Sequence, residues 1–190
     1  MTAVEKNKRI DSDHYVEGYA TTFEPYVLFR DWEGNDVYEQ IDKRAFENAE
    51  MSDVIMQFDH NGRVYARMSN NTLGMEVDNH GLFIWADLSK TENSRNLYED
   101  IKAGMITKMS WAFTVESDGE EYNPDTRTIH VNKVRQVYDV SAVSIPANDQ
   151  TSISARKSGE ALVQEFNAKQ EAKKKRKKLA LLLDISLGGK

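Results

Sequence analysis

The chain has 190 residues, 39% hydrophobic and 29% charged, with no cysteine, which excludes a disulfide framework, a thiol nucleophile and a Cys-ligated zinc site. The formal net charge of −6 is unevenly placed: residues 157–190 hold nine Lys/Arg against four Asp/Glu, whereas residues 1–156 hold 16 against 27, so an acidic body carries a basic tail. No window approaches the roughly 18 apolar residues of a membrane span, and Met1 to Asp13 is polar with no apolar run of signal-peptide length; the expectation is a soluble, intracellular protein.

In chain order, residues 1–13 read as a flexible N-terminus. His14 to Phe23 is compatible with a strand in which Gly18 marks a bulge or a close approach of another chain segment. Asp42 to Ala49 reads as a short helix. Asp53 to Asp59 is an apolar, β-rich run, followed by His60, by Asn61-Gly62 and by a second extended run from Arg63 to Met68. Asn-Gly between extended segments is a strong hairpin signal, because a type I′ turn needs positive φ at both central residues. His60 is therefore expected at or just past a strand end.

Thr72 to Val77 and Leu82 to Leu88 read as strands joined by Asp78-Asn79-His80-Gly81. Thr91 to Ala103 reads as a helix, with Leu97 and Ile101 one turn apart and Gly104 at the C′ position. Lys108 to Glu116 alternates: Met109, Trp111, Phe113 and Val115 on one face, Ser110, Ala112 and Thr114 on the other. Tyr122-Asn123-Pro124-Asp125 is a turn, and Thr126 to Val134 and Gln136 to Ile145 read as two more strands. Seven or eight strands with two short helices predict a mainly β fold, a mostly antiparallel β-barrel or sandwich. Residues 156–190 differ. Ser158 to Leu183 is rich in Ala, Glu, Lys and Leu, basic from Lys173 to Lys178 and apolar at its end, as an appended helix or flexible tail would be.

The chain has four histidines: His14, His60, His80 and His130. His14 lies near the N-terminus, His80 in a polar turn and His130 mid-strand; only His60 ends an apolar strand. A serine hydroxyl becomes a nucleophile when a neutral imidazole accepts its proton, and a third group must fix the imidazole's tautomer. Ser110, on a strand between Met109 and Trp111, is a hydroxyl held by its scaffold. Asp139 is a charge inside an apolar strand, and a buried charge needs a partner. Taken alone, the same residues also fit a turn histidine, the polar side of a half-buried sheet and a salt-bridged strand acid. No His-Glu-x-x-His or Gly-rich phosphate motif is present, and Ser110 lies outside a Gly-x-Ser-x-Gly elbow. No metal or cofactor is expected.

Four segments, in order, resemble the prohead (procapsid maturation) serine proteases of tailed bacteriophages, related in fold to the herpesvirus assemblins. These are Gly18 to Phe23, Phe58-Asp59-His60-Asn61, Gly104 to Phe113, and Asp139 to Asn148. The resemblance covers roughly residues 14–155 and implies an antiparallel β-barrel of assemblin type as the protease domain, with residues 156–190 as a basic tail. It implies Ser110 as nucleophile, His60 as base and Asp139 as the third member, with His130 as the alternative third member, since assemblins place a histidine there. Two departures stand out: Ala112 where the family commonly has Gly, and Asp139 where it commonly has Glu.

By the same resemblance the substrates are the major capsid protein with its scaffolding segment, a scaffold protein and the protease itself, cut inside the procapsid in the host cytoplasm, and the active form is a homodimer. Backbone N–H groups are expected to form the oxyanion hole, with Arg127, Arg135 and Arg156 as further candidates. The competing readings are a catalytically silent capsid-assembly module and, less in keeping with the acidic body, nucleic-acid binding through Lys173 to Lys178.

Overall fold

The computed structural model of this chain describes residues 8–144, 164 and 167–175. Within them the strands are β1 (Tyr15–Thr22), β2 (Tyr26–Arg30), β3 (Asp36–Ile41), β4 (Ile55–Phe58), β5 (Asn61–Arg67), β6 (Leu73–Val77), β7 (Gly81–Asp87), β8 (Lys108–Val115), β9 (Glu120–Asn123), β10 (Thr128–Val131) and β11 (Val134–Val143). One α-helix, α1 (Glu92–Lys102), joins β7 to β8. Thr91 caps it, its hydroxyl accepting from the Ser94 N–H at 3.1 Å, and Gly104 follows it at φ +74°, in the left-handed region that ends helices. The segment read as a helix from Asp42 is a single 3-10 turn, Lys43–Phe46, with the Asp42 carboxylate accepting from the Arg44 N–H at 2.8 Å.

The fold is mainly β with few helices, as expected. The expected closed barrel is not what the hydrogen bonding gives: the strands form three open sheets, ordered β1-β7-β6, β2-β3-β10-β9 and β5-β4-β11-β8. Nor is every pairing antiparallel, because β3 runs parallel to β10 and β4 parallel to β11. The hairpin of β2 and β3 was not foreseen. Its turn is built by Asp31, whose carboxylate accepts the N–H groups of Glu33 and Asn35 and pairs with the Arg127 guanidinium.

A common core lies between the sheets. Ile84 and Leu82 of β7, Met56 of β4, Val140 of β11, Ile41 of β3 and Leu97 of α1 all fall within 4% exposure. Trp111 and Phe113 of β8 stack at 3.9 Å between ring centroids, with Phe46 against Trp111 at 5.5 Å. Gly18 is a point of close approach: a Cβ there would lie 2.9 Å from the Met109 sulfur, so β1 and β8 meet at that residue. The irregularity of β1 itself falls two residues on, between Tyr19 and Thr21.

The chain divides into residues 1–156 and 157–190. In the second unit residues 167–175 are helical and exposed; Arg156, the rest of the tail and the segment after Ser144 lie outside the described residues.

Candidate active site

The turn that carries His60 is not where the Asn-Gly signal put it. Phe58 pairs with Asn61, so the two-residue turn is Asp59-His60, with φ of +48° and +55°. Positive φ at both central residues is the type I′ requirement, here met by Asp and His rather than Asn and Gly. Asn61 and Gly62 instead open β5. A non-glycine residue in the left-handed region costs about 1–2 kcal/mol, so the turn needs anchoring. Asp59 supplies it on one side: its N–H donates to the Ala142 carbonyl at 3.0 Å, and its carboxylate accepts from the Ser144 N–H at 2.9 Å and the Ser144 hydroxyl at 2.8 Å.

His60 supplies it on the other. Its Nδ1 lies 2.7 Å from Asp139 Oδ1, with the two side chains 18% and 9% exposed. The Ser141 hydroxyl donates to the same Asp139 oxygen at 2.7 Å, and its own oxygen accepts the His60 N–H at 3.3 Å. Ser141 is fully buried. It holds the acid and the backbone of the imidazole residue with one hydroxyl, a role the sequence reading missed. The available signal was its place two residues from Asp139 on the same strand.

Asp139 faces this turn because β11 carries a bulge. Val137 pairs with Phe113 and Asp139 with Ala112, leaving Tyr138 as the extra residue. With strict alternation Asp139 would follow Val137 into the core. The extra residue turns it to the opposite face, while Val140 and Ala142 remain buried in the core. Re-aiming one side chain is what a bulge does in a ladder.

Ser110 lies directly across from Ser141 in the β8–β11 ladder. Cross-strand partners project from the same face, so Ser110 shares the face of Asp139, Ser141 and His60 and opposes Met109 and Trp111. Ser110 is 6% exposed. His60 Nε2, the other ring nitrogen, is buried without a hydrogen-bond partner. The structure thus brings His60 and Asp139 into contact and places Ser110 on their face without a hydrogen bond to the imidazole. Catalytic hydrogen bonds are often longer before substrate binds.

The other candidates stand elsewhere. His130 is on β10, paired with Gln40 of β3 and Glu121 of β9, beside Lys43 and Asn132 in a small cavity. His14 packs edge-on against Tyr98 and His80 against Tyr19. Arg127 is committed to Asp31. Among the described residues no three or more His, Asp or Glu side chains converge as a metal site would require, and no helix is long and apolar enough to cross a membrane.

A buried His–acid pair beside a strand serine is the equipment of a serine peptidase. No curated protein and no solved structure matches the chain, so a kinship with the herpesvirus assemblins rests on the sequence resemblance alone. The family model described as Caudovirus prohead serine protease matches residues 2–165, and the chain belongs to that family, the serine peptidases of phage capsid maturation.

Proposed function

We propose that Ser110, His60 and Asp139 form the triad with which this chain cleaves capsid and scaffold proteins, and itself, inside the procapsid. The observation that carries the reading is the 2.7 Å contact between His60 Nδ1 and Asp139, which leaves the other ring nitrogen, Nε2, buried and unpartnered, with Ser110 on the sheet face of Asp139. A buried ring nitrogen without a partner is costly, and a serine hydroxyl is the group that would satisfy it.

In the mechanism, His60 Nε2 takes the Ser110 proton as the hydroxyl oxygen attacks the scissile carbonyl. Asp139 keeps the Nδ1 proton in place and stabilises the imidazolium that forms. Collapse of the tetrahedral intermediate breaks the C–N bond, and His60 returns the proton to the leaving amine. Water then repeats the sequence on the acyl-enzyme, with His60 again as base. Asp139 rather than His130 is the third member, because it is Asp139 that meets His60. Packaging in a closed shell raises the local substrate concentration, so modest intrinsic activity would suffice. The basic tail is the segment suited to docking on an acidic scaffold and to removal by self-cleavage.

Intact-mass analysis of the wild-type chain beside Ser110→Ala, each alone and mixed with the major capsid protein, tests this reading. Time-dependent fragments in the wild type alone support it. Equal processing of both removes Ser110 from the role, and two intact chains with intact capsid protein leave the silent assembly module as the better account.

A further inference from the structure

Three carboxylates are buried among the described residues: Asp87, Asp139 and Glu39. Asp87 is held by the Ser12 hydroxyl, the Ser89 N–H and the Lys90 ammonium. Asp139 is held by His60 and Ser141. Glu39 is 2% exposed and sits on the core face of β3, between Val37 and Ile41, where the alternation calls for an apolar residue. No cation pairs with it among the described residues. The groups that face it are the Tyr26 phenol on β2, which donates to its Oε2, and the Glu120 carboxylate on β9; its neighbour on β10 is Ile129. Burial above all, with the charge of Glu120 adding to it and the Tyr26 bond opposing, pushes the Glu39 carboxyl up to about 7.

Tyr26 connects this acid to the serine. A cleft of about 530 Å³ opens beside β8, and Tyr26, Thr21, Met109, Ser110 and Trp111 line it. The Trp111 and Thr21 side chains also reach the Tyr26 oxygen. A short chain of contacts therefore runs from Glu39 through Tyr26 to Trp111, the residue after Ser110. We propose that Glu39 is a positioning residue for the Ser110 cleft: as a neutral acid it fixes the Tyr26 phenol against Trp111 in the cleft wall, and on ionisation, which keeps the Tyr26 bond, the water that the carboxylate draws in parts the phenol from Trp111. An uncompensated carboxylate in an apolar layer is stable only if water reaches it, and the cleft that Tyr26 lines is the route. The proposal rests on Ser110 being the nucleophile and adds a residue that acts on it through Tyr26.

The test is the rate of Ser110 labelling by a fluorophosphonate, followed by mass spectrometry on the full chain from about pH 5 to pH 9, in wild type, Glu39→Gln, Glu39→Leu, Tyr26→Phe and the Leu/Phe double variant. Gln keeps an acceptor for the phenol and cannot ionise. The wild-type rate is expected to decline above about pH 7 and that of Glu39→Gln to hold. Leu and Phe each lower the rate about tenfold, the value of one lost buried hydrogen bond, and the double variant loses no more than the worse single one. A merely structural role would lower stability without changing the shape of the pH profile. Superimposed wild-type and Glu39→Gln profiles, or losses that add in the double variant, overturn the inference while Ser110 remains the nucleophile. Labelling absent from Ser110 in every chain overturns that assignment and the inference with it.

Discussion

Asp139 on β11 and Glu39 on β3 both stand where the surrounding pattern is apolar, and they have been put to opposite use. On β11, Asp139 is turned out of the core by the Tyr138 bulge and given a histidine and a serine hydroxyl. On β3, Glu39 stays in the core with a phenol for a partner and a second carboxylate nearby. The same sequence signal, a charge in a strand, thus leads to an acid partnered by a histidine in one sheet and an acid pushed up to about 7 by burial in the other. What decides between them is the partner delivered by a distant segment: the Asp59-His60 turn in one case, Tyr26 in the other.

The sharpest way to break the comparison is to disable the first acid. Asp139→Asn keeps the shape but reverses the hydrogen-bonding demand on Nδ1, so the proton sits on the wrong nitrogen. The expected loss is about 10³- to 10⁴-fold in kcat, read from cleavage of capsid protein or from acylation kinetics. Asp139→Asn at wild-type kcat would show that the acid does not hold the imidazole.

The second acid answers in stability. The Glu39 carboxyl titrates at about 7 in the folded chain against an ordinary value of 4.5, so the folded state holds the proton more tightly than the unfolded one. Its contribution is fully present below the unfolded value and is lost as pH rises from about 4.5 to about 7, after which it is flat. The full span corresponds to roughly 3 kcal/mol. Glu39→Gln should remove this slope and exceed wild type in denaturant stability by up to that amount at about pH 8. Parallel stability profiles for the two chains would mean that Glu39 ionises freely in the fold.

The difference between the two acids also marks how far the sequence could be read. Ser110 and its face followed from the alternation of β8, and α1 followed from Thr91, the Leu97–Ile101 spacing and Gly104. Asp139 was legible as an anomaly, but its direction was not, since a bulge is invisible in a run such as Val137-Tyr138-Asp139-Val140. The turn position was missed because Asn61-Gly62 is the stronger local signal, whereas Asp59-His60 is held by bonds to Ser144 and Asp139, more than 75 positions away. The β2–β3 hairpin was missed for a related reason. Glu39 breaks the apolar row of β3, and the turn relies on Arg127, 96 residues from Asp31.

Ser141 offers a milder perturbation of the first acid. Ser141→Ala removes one of the two hydrogen bonds on Asp139 Oδ1 and the acceptor of the His60 N–H, leaving the triad side chains intact. Loss of a hydrogen bond to a buried charged group is worth about 1.5–3 kcal/mol, so kcat should fall roughly 10- to 100-fold. KM should change little, because Ser141 is fully buried and out of reach of substrate. A rise in KM with kcat intact would make it a binding residue instead.

The smallest effect is expected at His130, the histidine that the assemblin resemblance offered as third member. It stands in the sheet of Glu39, paired with Gln40 and Glu121, and Asp139 already occupies the contact at His60 Nδ1. Its ring adds no hydrogen bond to the triad, so His130→Ala should leave kcat within about twofold of wild type, the scale of a surface substitution away from special features. It should also leave the pH–rate profile unmoved, whereas His60→Ala abolishes the activity. A loss at His130 comparable to that of Asp139→Asn would mean that the two sheets exchange partners during catalysis, and the division of labour between the two acids would have to be redrawn.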